Sequence, residues 1–82
     1  MPRLTEKSET GYQVTDLATA AERLGRFEDL CDDLQREQEE IAERLEHLRQ
    51  EGRTRSYSYK ELAAQKAIGQ MLLSRLRSYH LL

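Results

Sequence analysis

The chain has 82 residues, 34% of them charged, one cysteine and a formal net charge of −2. That length supports one small domain at most, burying only about 60% of its unfolded surface. A lone cysteine excludes an intrachain disulfide and no Cys/His cluster has zinc-like spacing, so oligomerisation is the support that remains. No run of about 18 apolar residues suggests a membrane span. MPRLTEKSET lacks the apolar core of a signal peptide, and with a lone thiol the expected location is the cytoplasm.

The small net charge hides a split. Residues 16–51 hold twelve Asp/Glu against five Arg, a net of −7. Residues 52–82 hold Arg53, Arg55, Lys60, Lys66, Arg75 and Arg77 against Glu61 alone, a net of +5, while residues 1–14 balance at zero. Such a split either pairs the two halves across a helical hairpin or offers one sign to a partner. Internal pairing is the simpler expectation.

In chain order, residues 1–14 read as an N-terminal arm or short β-hairpin. Ser8-Glu9-Thr10-Gly11 is turn-rich, with Leu4 before it and Tyr12 and Val14 after it. The remainder, 15–82, reads as a helical hairpin domain. Thr15 is the expected N-cap of a first helix, with Asp16 in its first turn, and Thr19-Ala-Ala-Glu22 offers a second start with capping-box spacing. A seven-residue repeat then places Leu17, Leu24, Cys31, Gln38 and Leu45 on one seam position and Ala20, Phe27, Leu34, Ile41 and Leu48 on the other. Gln38 is the one polar residue in that stripe, the pattern of a helix packed lengthwise on other helices. Gly25 and the Asp32-Asp33 pair mark places where the helix could bend. Glu40–Arg44 and Glu46–Arg49 are expected same-face ion pairs, and Gly52 is a natural stop.

After a connector, Ser58-Tyr59-Lys60-Glu61 has capping-box form, so Ser58 is the expected N-cap of a second helix running to about His80. Its apolar residues cover a wide arc. Leu62, Leu72, Leu76 and Tyr79 are assigned to the face toward helix 1, with Ile68, Met71 and Leu73 widening the arc. At ~1.5 Å per residue, helix 1 is roughly 54 Å long and helix 2 roughly 32 Å. A folded-back helix 2 therefore covers Leu34 to Leu48 and cannot reach Leu17, Leu24 and Phe27. Either helix 1 breaks near Gly25 or Cys31, or another chain covers that end. The expected fold is all-α: a long helix plus a shorter antiparallel helix, assembling as a homo-oligomeric bundle through Leu17, Leu24, Phe27, Leu34, Ile68, Leu72 and Leu76.

Signals for catalysis are poor. Glu43 and His47 sit at i,i+4, which a solvated face explains as well as a metal does, and Cys31 on the seam reads as a packing residue. No phosphate loop, nucleophile motif or paired-carboxylate motif stands out. The expectation is a binding protein, not an enzyme, with no metal or cofactor. The chemistry-bearing stretch is Arg53 to Lys60. If extended, it places Arg53, Arg55, Tyr57 and Tyr59 on one face. Guanidiniums grip phosphates and phenol rings stack on bases. Ser58 opens a helix N-terminus, a ready anion site, with Lys60 and Lys66 close by. Arg53, Arg55, Tyr57, Ser58, Tyr59, Lys60 and Lys66 are thus the candidate ligand site, for a small anionic nucleotide. The bland alternative is that the arginines and tyrosines only pack the connector against acidic helix 1. The acidic face of helix 1 (Asp29, Asp32, Asp33, Glu37, Glu40) is a second candidate surface, for a host protein that itself binds nucleic acid; direct DNA binding fits the negative total charge poorly.

Three runs, ERLGRFEDL at 22–30, IAERLEHLRQEGRTRSYSYKELAAQKA at 41–67 and SYHLL at 78–82, resemble a group of short proteins found in phages and prophages of Gram-positive bacteria. The likeness covers roughly residues 12–82, and its most specific part is the basic connector followed by K-E-L-x-A at 60–64. The resemblance implies phage origin and action in the cytoplasm of an infected host; by analogy with small phage proteins that lack an enzyme motif, the expected role is counter-defence, either by binding a host defence protein or by sequestering a nucleotide signal. It supplies no catalytic residues.

Overall fold

The structure, a computed structural model, describes residues 2–82. The element order is β1 (Thr5–Ser8), β2 (Gly11–Val14), α1 (Leu17–Gln50) and α2 (Tyr57–Ser78). The chain divides into two compact units, residues 1–31 and 32–82, with α1 contributing to both.

In the first unit β1 and β2 form a two-stranded antiparallel ribbon, in register from Thr5 opposite Val14 to Ser8 opposite Gly11. Gly11 leaves the two-residue turn at φ 134°, a backbone angle that side-chain-bearing residues rarely adopt. A lone ribbon is barely stable. Thr15 N–H donates to the Leu4 carbonyl at 3.3 Å and extends the ribbon by one rung, and Arg23 of α1 donates to the Pro2 carbonyl at 2.8 Å, tying the segment before β1 to the helix.

The cap of α1 is Asp16, in place of the expected Thr15 or Thr19. Thr19 donates from its hydroxyl to Asp16 Oδ2 at 2.7 Å and from its amide to Oδ1 at 3.2 Å. A carboxylate accepts both bonds at once and carries the charge the helix dipole favours, which one hydroxyl cannot match. The same two donors, hydroxyl first, hold the Asp16 carboxyl below the ordinary carboxylate range. α1 then runs unbroken through Gly25 and Asp32-Asp33 to Gln50, so of the two alternatives for its first half the break does not occur. A Cβ at Gly25 would meet no atom within 4 Å, and nothing in the structure explains this glycine. Leu17 and Leu24 are 77% and 57% exposed, and Phe27 is half-buried.

In the second unit the shorter helix packs with the C-terminal half of the long one. α1 stops at Gly52, φ 72°. Gly52 N–H donates to the Arg49 carbonyl at 3.0 Å and Arg53 N–H to the Leu48 carbonyl at 2.8 Å. These paired bonds satisfy the terminal carbonyls while the left-handed residue turns the chain. α2 closes with the same pair of bonds: His80 N–H to Arg77 at 2.9 Å and Leu81 N–H to Leu76 at 3.0 Å, with His80 itself at φ 59°.

The seam of α1 is covered where it was expected to be. Leu34, Gln38, Ile41, Leu45 and Leu48 are all half-buried. The phase of α2 differs from expectation. Leu62 and Leu73 are its buried leucines and Leu76 is half-buried, whereas Leu72 and Tyr79 are 43% and 64% exposed and join Ile68 and Met71 on the outer side. Leu34 and Leu76, assigned to an interface between copies, are thus already half-covered within one chain. Among the described residues the buried apolar side chains are Cys31, Leu62 and Leu73, and no large side chain is fully buried.

The N-cap of α2 is Ser56, not Ser58. Ser56 Oγ accepts from Tyr59 N–H at 3.2 Å and donates to the Arg53 carbonyl at 2.8 Å. The sharp turn at Gly52 brings the chain into helical geometry two residues early, and Ser58 becomes an exposed residue of the first turn. Ser56→Ala is expected to cost about 1 kcal/mol and to lower Tm by roughly 4–8 °C. Ser58→Ala is expected to stay within about 0.5 kcal/mol. Thermal melts followed by circular dichroism measure both, and the opposite ranking would restore Ser58 as the cap.

Candidate functional site

The connector does not extend. Because α2 begins at Tyr57, strand-like alternation of Arg53, Arg55, Tyr57 and Tyr59 never forms. Residues two apart on a helix are not neighbours on one face, and accordingly Tyr57 is 79% exposed while Tyr59 is half-buried. Arg53 lies 3.6 Å from Glu51, and its carbonyl and amide are both used in the turn. Arg55, Ser58 and Lys60 are exposed. The one face proposed for these residues is therefore absent, although every charged member remains accessible.

The charge split is not spent across the hairpin. The ion pairs among the described residues join Arg26 to Glu22, Arg36 to Asp33 and Glu40, Arg49 to Glu46, and Arg53 to Glu51. Each spans four residues or fewer. Glu40 thus pairs with Arg36 instead of Arg44, while the expected Glu46–Arg49 pair forms. None joins α1 to α2, and no carboxylate of the described residues pairs with Arg55, Lys60, Lys66, Arg75 or Arg77. Arg75 instead lies over the Tyr79 ring, 5.8 Å from its centroid. Exposed local pairs of this kind are worth about 0–1 kcal/mol, so they organise little. On the acidic face, Asp33 and Glu40 share Arg36, while Asp29, Asp32 and Glu37 are exposed with no ionic partner among the described residues.

The polar residue of the seam has its own seat. The Gln38 side chain lies so close over Gly69 that a Cβ there would sit 1.7 Å from Gln38 Nε2 and 2.7 Å from Cδ. Gly69 is buried in mid-α2. A glycine inside a helix costs about 1 kcal/mol relative to alanine. Gln38 Oε1 is buried without a hydrogen-bond partner, which costs about 1–3 kcal/mol more. Two unfavourable choices therefore meet at one point of a small interior.

Beside that point an open groove of about 320 Å³ is lined by Gln38, Glu39 and Ala42 of α1 and by Lys66, Gln70, Leu73 and Arg77 of α2. Of the expected ligand residues only Lys66 reaches it. Gln38, Gln70 and Arg77 were not singled out for binding. Gln38 stood out as the break in an otherwise apolar stripe; Gly69 was not singled out, and its position seven residues after Leu62 is the signal that points to it. Among the described residues no group of three or more His, Cys, Asp or Glu side chains could hold a metal ion, and no helix is long and apolar enough to cross a membrane. Comparison of the chain with family models, curated proteins and solved structures gives no match.

The two mid-helix glycines separate the cost of glycine from the need for space. Gly25→Ala, with open space beside it, is expected to stabilise by about 1 kcal/mol. Gly69→Ala is expected to fall clearly short of that gain, because its methyl displaces the Gln38 amide. Urea unfolding of the two variants measures the difference; equal stabilisation would mean that the Gln38 seat is unimportant.

Proposed function

We propose that this chain is a phage-type, non-enzymatic counter-defence protein that works as a homo-oligomer and sequesters an anionic, nucleotide-type ligand in the cytoplasm of an infected host. The observation that carries the ligand reading is the uncompensated positive charge of residues 52–82. Arg55, Lys60, Lys66, Arg75 and Arg77 have no carboxylate partner among the described residues. Unpaired cations on an otherwise acidic protein attract anions. No bond is made or broken in this reading. Affinity comes from charge-assisted hydrogen bonds, and subunits that cover each other's apolar faces wall the site. The phage and counter-defence parts rest on the resemblance of residues 12–82 alone.

The oligomer is supported by what one chain leaves uncovered. Leu17, Leu24, Ile68, Met71 and Leu72 are between 43% and 77% exposed, and four of these five belong to the expected interface. Exposed apolar residues grouped within each of the two units are the mark of surfaces that meet other surfaces.

A second reading is a helical protein-interaction inhibitor or adaptor. It is favoured by the exposed carboxylates of Asp29, Asp32 and Glu37, which the first reading leaves unused.

A thermal-shift screen against mono- and dinucleotides separates the two. A ligand at 100 times its Kd stabilises by about 2.7 kcal/mol, a shift of several degrees for a domain of this size. The shift is expected with at least one phosphorylated nucleotide and is expected to shrink as salt rises from 50 to 500 mM. Flat melts across the panel would remove the ligand reading and leave the interaction surface of α1.

A further inference from the structure

Resting on the homo-oligomer reading above, we infer that the outer stripe of α2 is a twofold dimer surface. Its occupant is the same stripe of a second copy, running antiparallel, with Ile68 on the axis.

Ile68 sits in mid-α2 and is 67% exposed. Four residues from it in either direction stand Ala64 and Leu72, seven away Glu61 and Arg75, and eleven away Tyr57 and the capping residue Tyr79. At 3.6 residues per turn these positions fall within about 80° of one another round the helix. Their centre is turned by about 110° from the line of Leu62, Gly69, Leu73 and Leu76 that is withdrawn from water. All seven are exposed, Tyr57 at 79% and Tyr79 at 64%. Eleven residues are close to three helical turns, so the stripe from Tyr57 through Ile68 to Tyr79 runs nearly straight.

Spacing that reads alike in both directions suits an isologous contact, in which residue i meets j wherever j meets i. Turned over about Ile68, the stripe also finds complementary side chains. Tyr57 faces Tyr79 of the other copy, two rings suited to offset or edge-to-face contact. Ala64 faces Leu72, a small side chain opposite a large one, the alternation that lets facing layers interdigitate. Glu61 faces Arg75, and that pair occurs twice. Glu61 is the single acidic residue of 52–82, and neither it nor Arg75 has an ionic partner among the described residues. Charge-assisted pairing across the axis engages both. Arg75 already lies over the Tyr79 ring, 5.8 Å from its centroid, which keeps the guanidinium on the stripe.

The charges also select the occupant and its direction. One acid and one base leave the stripe neutral, so nothing in it draws the acidic face of α1 from another copy. A parallel pair sets Glu61 against Glu61 and Arg75 against Arg75, which repels. Of the residues expected at the interface between copies, this surface uses Ile68 and Leu72.

The test is sedimentation equilibrium of the full-length protein and of variants whose helical circular dichroism matches the wild type. Glu61→Arg and Arg75→Glu are each expected to weaken self-association by about tenfold or more, because each sets like charges opposite one another at two places. An equimolar mixture of the two is expected to associate within about threefold of the wild type, since the mixed dimer restores both pairs. A short bismaleimide is expected to link Ile68→Cys into a covalent dimer. Gln70→Cys, exposed on another side of α2, is expected not to link, and the buried Cys31 makes the wild type the blank. Single variants that associate as a self-associating wild type does would overturn this surface and leave the homo-oligomer reading to Leu17 and Leu24. Weakened single variants with no recovery on mixing would overturn the twofold pairing, and equal linking at Ile68→Cys and Gln70→Cys would overturn the axis. A wild type that stays at 9.6 kDa even at high micromolar concentration would overturn both the surface and the homo-oligomer.

Discussion

Two helices lying side by side cover one stripe on each other and no more. That constraint governs the 32–82 unit. The stripe of α1 from Leu34 to Leu48 and the line Leu62, Gly69, Leu73 and Leu76 of α2 are the residues taken out of water, in part or whole. Tyr59, Ala63 and Lys66 of α2 are half-buried as well, while Ile68 and Met71, 67% and 72% exposed, face outward. Burial is worth roughly 25 cal/mol per Å² of apolar surface, so an interior made of half-covered side chains stabilises weakly. In the proposed homo-oligomer, a second layer from another copy would supply what the pair of helices lacks by geometry.

The middle of the shared stripe is where the structure departs from good packing. An apolar line with a glutamine in it and a glycine opposite is a poor choice for stability alone. A larger interior would hide such a choice among many well-packed neighbours. Here it sits next to a groove lined by two cations that no carboxylate of the described residues neutralises. The ion pairs of the chain are short-range ones along single helices or turns, which leaves the opposite charges of its two halves free to act on partners. The −7 and +5 halves are thus better understood as two outward-facing surfaces than as the glue of a hairpin.

Much of the fold was legible in the sequence because its signals were periodic or local. The seven-residue repeat identified the covered face of α1 from Leu34 to Leu48. Helix lengths alone placed Leu17, Leu24 and Phe27 beyond the reach of α2; Leu17 and Leu24 are exposed, while Phe27 is half-buried. Ser8 to Gly11 marked the turn and Gly52 the helix end. The phase of α2 was not legible, because nine apolar residues over a wide arc fit two rotations equally. The marker that settles it is Gly69, the one residue small enough to lie under the Gln38 side chain. The cap moved from Ser58 to Ser56 because capping-box spacing weighs only the glutamate three residues on, whereas the turn at Gly52 decides where helical geometry begins. The groove was hidden for a related reason. Its members come from two helices, and only their rotation brings Gln38, Lys66, Gln70 and Arg77 to one place.

The claim on which the account rests is that one copy covers too little of its own apolar surface and is completed by another. The direct measurement is the melting temperature of the protein as a function of its concentration, from about 0.1 to 100 µM, with mass by light scattering at the upper end. If copies complete one another, Tm rises steadily with concentration and the mass is a multiple of 9.6 kDa. A cooperative melt at one fixed temperature over the whole range, with a mass of 9.6 kDa, would contradict it.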